Sequence, residues 1–289
     1  NEMIEYLERL ELSATLDEDG LNVTVPTYRL DLNGEVDLIE EIGRLYGFHN
    51  IRTKPLKGVL TRGEKSYKRI VEDNARAILQ GMGINEVMTY SFISPRAYDK
   101  IKVEEDSKLR NYIKIINPLG EDYSVMRTTL IPNMLALLSR NYNYGVKECF
   151  TYEIGNIFIP REMPIKQLPI EKKVLSIGMY GNVDFYDIKE VVEILFERLG
   201  INGCEYLPER NNLIYHPNRT ANIDYKGKHI GTLGEIHVDV TENYEIGTKV
   251  YMAHLDFDEI INEAKLEKKY KPLPKYPGIM RDIAIVVDK

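Results

Sequence analysis

Apolar residues recur every three to four positions in several stretches of the chain, the spacing that places them on one face of an α-helix. Residues 66–82 show the longest such pattern, and Gly81 and Gly83 mark its end. In the same way Gly47 and Gly200 each follow an apolar-periodic stretch and indicate where a helix stops. The spacing predicts helices over residues 2–10, 35–46, 66–82, 131–141, 187–199 and 258–268.

Other stretches alternate apolar and polar residues, the pattern of a strand with one buried face. Within them, Gly155-Asn156 and Lys226-Gly227 predict tight turns between antiparallel strands. Long antiparallel strands flanked by helices indicate an α+β fold. The alternation predicts strands at residues 21–25, 85–92, 111–116, 148–159, 174–180, 216–235, 250–257 and 283–287.

Composition narrows the class of protein. With 289 residues, of which 43% are hydrophobic and 29% charged, the chain is typical of a soluble globular protein with more than one domain. The net charge of −7 argues against a primary nucleic-acid binder, which needs clustered Lys and Arg. No apolar run approaches a membrane span. Cys149 and Cys204, the two cysteines, fit a reducing cytosol, and we expect a cytoplasmic protein without membrane contact.

Four acids near the N-terminus are the candidate site. Asp31 follows a proline-led extended segment, and Asp37, Glu40 and Glu41 occupy the first turns of the next predicted helix. Residues three and four apart share a helix face, so these carboxylates can converge on Mg²⁺, which prefers oxygen ligands. The alternative is structural: acids stabilise helix N-termini, and Arg44 is placed to form ion pairs with Glu40 and Glu41.

The segment carrying these acids, Val25-Pro26-Thr27-Tyr28-Arg29-Leu30-Asp31 followed by Glu35–Gly47, resembles the B5 module of the phenylalanine–tRNA ligase β-subunit family, a small winged-helix-like unit. The pattern of V-P-[ST]-x-R-x-D and E-x-D-L-I-E-E is matched without insertion. In that family the positions of Asp31, Asp37, Glu40 and Glu41 are magnesium ligands near the contact with the α subunit. The resemblance therefore implies Mg²⁺ shared with that interface.

Later motifs extend the resemblance along the whole chain. The sequence Asn117-Pro118-Leu119 with Ser124–Arg127, then Tyr152–Phe158, Asp184–Lys189 and His216–Ala221, resembles the B6–B7 region of the same family. Glu190 and Asn218 replace two of the usual glycines. The resemblance implies a class II aminoacyl-tRNA synthetase-like antiparallel sheet with flanking helices, in a copy that has lost catalysis.

The residues agree with an absence of catalysis. A class II ATP site needs a glycine-rich turn ending in arginine, and the chain carries no such G-[LI]-G-[LIM]-[DE]-R stretch. Arg127 can mimic a phosphate contact, but beside Glu121 and Asp122 it is interpreted as part of a structural ion pair. The five histidines lack the spacing of a zinc site. They are His49, His216, His229, His237 and His254.

Four segments follow from the resemblance. Residues 1–52 are a B5 module truncated at its N-terminus, residues 53–65 a linker, residues 66–270 the non-catalytic B6–B7 core, and residues 271–289 the truncated start of a ferredoxin-like anticodon-binding domain. We therefore interpret the chain as a fragment of a longer polypeptide.

The implied function is that of a scaffold. In the family, ATP and phenylalanine react on the α subunit of an (αβ)₂ heterotetramer, tRNA(Phe) is bound through the full-length chain, and this fragment alone is expected to be inactive. Two alternatives from other classes stay open. A free-standing nucleic-acid-binding paralogue predicts salt-sensitive duplex binding without an α subunit. An amino-acid-binding regulatory paralogue predicts direct binding of phenylalanine or ATP.

Overall fold

The structure is a computed structural model that describes residues 1–270, 272–273, 275–276 and 278–286. The chain forms two compact units that divide between Gly63 and Glu64, within the predicted linker. In the described residues, no helix is both long enough and apolar enough to cross a bilayer. The four-segment domain assignment stays a prediction.

The first unit is a small mixed module. It contains α1 (Glu2–Glu8), the antiparallel hairpin β1 (Ser13–Asp17) and β2 (Gly20–Thr24), and α2 (Glu35–Tyr46). Three leucines form its buried centre, and the hairpin and α2 pack partly buried apolar residues around them. They are Leu7, Leu12 and Leu32. The winged-helix-like description of this module stays a prediction.

The second unit is built on a seven-stranded sheet. Its strands are β3 (Asn85–Glu86), β6 (Cys149–Ile159), β7 (Ile170–Tyr180), β8 (Glu205–Pro208), β9 (Tyr215–Tyr225), β10 (Lys228–Ile236) and β11 (Val250–Asp256), and β4 (Phe92–Ile93) and β5 (Val125–Met126) form a separate pair. Its helices are α3 (Tyr67–Gly81), α4 (Arg96–Lys100), α5 (Ile131–Asn143), α6 (Phe185–Arg198), α7 (Val238–Asn243) and α8 (Phe257–Glu263).

The strand order in the large sheet is β3-β6-β7-β11-β10-β9-β8. Five of its strand pairs are antiparallel, and β3 runs parallel to β6. The fold is therefore mixed α and β with a large mixed sheet, and the predicted antiparallel sheet is corrected where β3 joins it. Residues 87–148, which include α4 and α5, separate β3 from β6 and supply the long crossover connection that a parallel pair needs.

Alternation along the strands separates two cores on opposite faces of the sheet. Leu175, Ile177 and Met179 of β7 contact one core, which α3, α6 and α8 cover. Tyr180 at the end of β7 belongs to the other core, which α4, α5 and α7 cover. A Cβ on Gly178 would lie 2.7 Å from Cγ of Met134, so glycine there lets α5 approach β7 closely.

Most predicted helices are confirmed within two residues of their bounds, but α8 ends at Glu263 instead of residue 268. The turn at Lys226-Gly227 is confirmed between β9 and β10, whereas Gly155-Asn156 lies inside β6 and is not a turn. The predicted strand 85–92 is interrupted and leaves only β3 and the start of β4. For the predicted strand 283–287, residues 283–286 form no strand and Val287 lies outside the described residues.

Candidate functional site

Two of the four predicted acids are held by arginines. Nε and Nη2 of Arg29 donate to the two carboxylate oxygens of Asp31 at 3.0 and 2.7 Å, a bidentate arrangement. The same Nη2 reaches Oε1 of Glu41 at 3.0 Å, and Nη2 of Arg44 reaches Oε2 of Glu41 at 2.5 Å. Arg44 therefore pairs with Glu41, as the structural alternative predicted.

The other two acids do not join this network. Oδ2 of Asp37 accepts hydrogen bonds from the backbone N–H groups of Asn33 and Gly34, both at 2.8 Å. Asp37 therefore fixes the turn before α2 and places its negative charge at the helix N-terminus. The side chain of Glu40 is exposed and makes no hydrogen bond or ion pair with the described part of the chain.

This arrangement does not fit a magnesium ion. Mg²⁺ needs carboxylate oxygens that are free to coordinate it, and the oxygens of Asp31 and Glu41 already accept from guanidinium groups. No group of three or more His, Cys, Asp or Glu side chains in the described chain is placed to hold a metal. The magnesium site on Asp31, Asp37, Glu40 and Glu41 therefore stays a prediction, and it requires these ion pairs to open.

The Arg29–Asp31 pair makes the pKa of Asp31 a direct readout of this network. The hydrogen bond from Arg29 lowers the pKa of Asp31 from its usual 3.8 to about 2. Because the folded pKa lies below the unfolded one, the pair stabilises the fold above about pH 4 and is lost as the pH falls through about 2. We expect a carboxyl ¹³C NMR titration of Asp31 with a midpoint near pH 2.

Removing the guanidinium tests the cause of that shift. In Arg29→Met the midpoint for Asp31 should return towards 3.8, while in Arg44→Met, which leaves the Arg29–Asp31 bonds in place, it should stay near 2. A midpoint near 3.8 in the unaltered chain would show that the Arg29–Asp31 pair does not persist in solution.

An exposed apolar surface lies on the second unit around β4 and β5. We name it the apolar patch and define it as Met88, Tyr90, Phe92, Ile116, Leu119 and Tyr123. Met88 is 94% exposed and Leu119 is 99% exposed. Antiparallel pairing of β4 with β5 and an edge-to-face contact of Tyr90 with Tyr123, 5.7 Å between ring centroids, connect its parts. Large apolar side chains exposed in one region of a protein are typical of a protein–protein interface.

A buried ion pair lies directly beneath the apolar patch. Nη1 of Arg127 lies 3.0 Å from Oε1 of Glu153, and both side chains are 3% exposed. Thr89 bridges them: its hydroxyl accepts from Arg127 at 2.9 Å and donates to Glu153 at 2.6 Å. Arg127 also donates to the backbone carbonyl of Asn156 at 2.9 Å, and through it β6 is tied to the chain that carries the patch.

The structure corrects the partner predicted for Arg127. Glu121 pairs instead with Arg96, at 3.1 Å on the surface, and Arg127 is directed into the protein. A Cβ on Gly155 would lie 2.6 Å from Nη2 of Arg127, so the glycine that suggested a turn is required by the buried arginine. Burial lowers the pKa of Arg127 and Glu153 opposes that shift; the guanidinium stays protonated.

Sequence reasoning also missed a row of polar residues on the α5 side of the sheet. Glu153, Ser176, His254, Thr232 and Asn222 are direct cross-strand neighbours on β6, β7, β11, β10 and β9. The sequence did contain a sign of this row, because each of the five is a polar residue at a position where the alternating pattern of a strand predicts an inward-facing side chain. Only the strand order, which the sequence did not provide, shows that the five residues form one row.

Comparisons with known proteins agree with the resemblance. Residues 51–257 match the profile of the phenylalanyl tRNA synthetase beta chain CLM domain, and residues 1–48 match that of the tRNA synthetase B5 domain. The chain is similar to proteins named phenylalanine–tRNA ligase beta subunit: it is 46% identical to the one from Clostridium acetobutylicum over 288 residues and 45% identical to the one from Clostridium tetani over 287 residues. These alignments cover 100% and 99% of this chain and 36% of each relative.

A solved structure supports the fold. The pyrrolysyl-tRNA synthetase from Desulfitobacterium hafniense superposes with a TM-score of 0.56 at 18% identity, over 67% of this chain and 68% of the other. At that identity the likeness shows the architecture alone, a tRNA synthetase fold. Because the CLM-domain profile spans most of the chain and the B5 profile covers its beginning, the chain belongs to the phenylalanyl-tRNA synthetase β-chain family.

Proposed function

We propose that this part of the β chain is a non-catalytic scaffold that docks the α subunit of phenylalanine–tRNA ligase through the apolar patch. The main support for this proposal is the exposure of Met88, Ile116 and Leu119, whose apolar side chains are almost entirely accessible to solvent. Interfaces bury such side chains at their centre, and a few of them dominate the binding free energy. The relatives are named as β subunits, which implies an α partner.

The buried Arg127–Glu153 pair gives this proposal a structural basis. Arg127 holds the segment that carries Tyr90, since its backbone N–H donates to the carbonyl of Ser91 at 2.9 Å and its Nη1 donates to Thr89. Asn133 of α5 donates to the carbonyl of Tyr90 at 3.0 Å. The segment that carries Met88, Tyr90 and Phe92 is therefore fixed to α5 and β6, and a pre-organised surface loses less entropy on binding.

Within this proposal the α subunit performs the chemistry. It joins phenylalanine to tRNA(Phe) with ATP, the β chain positions it within an (αβ)₂ assembly in the cytoplasm, and the fragment alone is inactive. The full-length chain contributes tRNA(Phe) binding.

Mixing this chain with the α subunit and measuring the dissociation constant and the complex mass tests the proposal. We expect a defined complex that Met88→Asp/Leu119→Asp weakens by at least about 100-fold, because buried interface anchors are each worth about 2 kcal/mol or more. The matched control is Leu168→Asp, which replaces an apolar residue 86% exposed outside the patch and should change the constant by less than about threefold.

A complex that the double variant leaves intact would place the interface elsewhere and overturn the proposal.

Adding EDTA to the same measurement examines the predicted magnesium role. As the carboxylates of Asp31 and Glu41 are already held by arginines, we expect the constant to be unchanged by chelation. A weaker complex in EDTA that Glu40→Gln reproduces would instead support the predicted ion.

A further inference from the structure

An apolar groove of about 940 Å³ lies on the surface of the first unit, lined by α1, α2, the hairpin β1–β2 and the residues that follow α2. We name it the α1–α2 groove. Large apolar side chains gathered at one exposed site are typical of a binding surface. Those that line the groove and are more than half exposed are Met3, Leu16, Val36, Ile39, Phe48 and Ile51.

The module around the groove is strongly acidic. Residues 1–48 contain twelve acidic and three basic residues, a net charge of −9, although the whole chain carries only −7. Glu2 and Glu40 line the groove itself, and the Glu40 carboxylate has no ion pair with the described residues. Because complementary charges favour one partner over others, the groove suits a segment that combines apolar side chains with cations.

Residues 52–62, which we name the strap, have this chemistry. They carry four basic residues and no acidic one, and they form no helix or strand. Val59 is 93% exposed and Leu60 is 99% exposed, and Leu56 is fully exposed. Burying these side chains would offset the backbone entropy lost when the strap becomes ordered.

The strap also begins at the groove. Ile51 lines the groove, and Leu56 follows five residues later, so Leu56 stays within about 18 Å of it even when the chain between them is fully extended. A connection this short gives the strap a high local concentration at the groove, which favours it over the same segment of a second chain. Leu56, Val59 and Leu60 can share one side, since residues three and four apart do so in a helical turn.

We propose that the strap folds back into the α1–α2 groove of its own chain. Leu56, Val59 and Leu60 pack against the apolar side chains of α1 and α2, and Lys57 lies beside the Glu40 carboxylate. The groove thus binds a basic and apolar segment, and Glu40 gains a cation from the chain itself. This interaction lies wholly within the first unit and is separate from the apolar patch of the second.

A single indole tests the proposal, because the chain contains no tryptophan. Leu60→Trp places one in the strap, and Leu168→Trp places one at a position of the second unit that is 86% exposed. We expect the emission maximum of Leu60→Trp at a shorter wavelength and its quenching by acrylamide at least about threefold weaker, since a strap that is mostly docked shields the indole from water. Leu56→Trp, an independent reporter, should behave like Leu60→Trp.

Variants of the groove identify where the indole is buried. Ile39→Asp, added to Leu60→Trp, should move the emission to longer wavelength, because a carboxylate replaces an apolar side chain of the groove. Leu30→Asp is the matched control, since Leu30 is 83% exposed in the same unit and does not line the groove. It should leave the emission unchanged, and neither variant should lower the melting temperature by more than a few degrees, as both positions are exposed.

Charge reversal tests the electrostatic part. Lys54→Glu/Lys57→Glu in the strap should expose the indole of Leu60→Trp, because like charges then meet at the groove. Lys147→Glu/Lys166→Glu changes the net charge equally at exposed positions of the second unit and should have no effect. Equal responses to the two double variants would overturn the role given to Lys57 and Glu40.

Three further results would overturn the proposal. The first is an emission of Leu60→Trp that matches Leu168→Trp, and the second is a blue-shifted emission that Ile39→Asp does not alter. The third is a blue shift that grows with protein concentration together with a dimer mass in light scattering, which would place the strap in the groove of a second copy. The same measurement on the full-length β chain should give the same blue shift, and its loss there would assign the groove to another segment.

Discussion

Arg127→Met lowers the free energy of unfolding by about 3–5 kcal/mol, the cost of removing one member of a buried ion pair. The substitution leaves the carboxylate of Glu153 without its guanidinium at a site only 3% exposed. It also removes the hydrogen bonds that Arg127 donates to the hydroxyl of Thr89 and to the carbonyl of Asn156. Urea unfolding of the purified chain, monitored by circular dichroism, measures the change.

Two further variants identify the source of that loss. Arg127→Met/Glu153→Leu removes both charges and should recover a large part of the stability, because an apolar pair leaves no buried charge unpaired. Arg96→Met breaks an exposed pair with Glu121, whose side chains are 76% and 61% exposed, and should cost less than about 1 kcal/mol. Equal losses for Arg127→Met and Arg96→Met would contradict the buried-pair argument.

Gly200→Ala produces the second large effect, a loss of about 2–5 kcal/mol in the same measurement. Gly200 follows the last residues of α6 with φ of +77°, a left-handed conformation that alanine adopts only with strain. An added Cβ would also lie 2.0 Å from the carbonyl oxygen of Lys265. Relieving that contact moves Lys265, whose N–H donates to the carbonyl of Leu199 at 2.8 Å.

Gly203→Ala is the matched control for Gly200→Ala. Gly203 has a similar φ of +87°, but a Cβ there meets nothing within 4 Å. Its substitution therefore carries the backbone strain alone, about 1–2 kcal/mol. If Gly200→Ala and Gly203→Ala lowered the free energy of unfolding equally, the close approach of Lys265 to Gly200 would contribute nothing to the effect.

Local pattern was sufficient for much of the fold. The acidic helix was predicted over residues 35–46 and is observed as Glu35–Tyr46, and Gly200 was recognised as a helix end. These features depend on periodicity, capping and glycine conformation, which neighbouring residues determine. The strand that became β6 was also located, because alternation persists over its length.

Features set by distant residues could not be predicted in the same way. Gly155 suggested a turn by local chemistry, and its actual cause is Arg127, 28 positions earlier in the chain. Likewise the spacing brought Asp31 and Glu41 near each other but did not show that Arg29 pairs with both of them. Spacing identifies which carboxylates can approach one another, but the conformation of a third side chain decides what they bind.

The place of β11 in the sheet has a consequence for biosynthesis. It is the last strand of the sheet along the chain, yet it lies between β7 and β10 and joins the hairpin β6–β7 to the meander β8–β9–β10. Both halves can pair before β11 leaves the ribosome, since each is made of consecutive strands. Until Val250 emerges, β7 and β10 have open edges on which another nascent chain can pair. The period of synthesis during which these edges can pair with another chain therefore ends when the seven residues of β11 are in place.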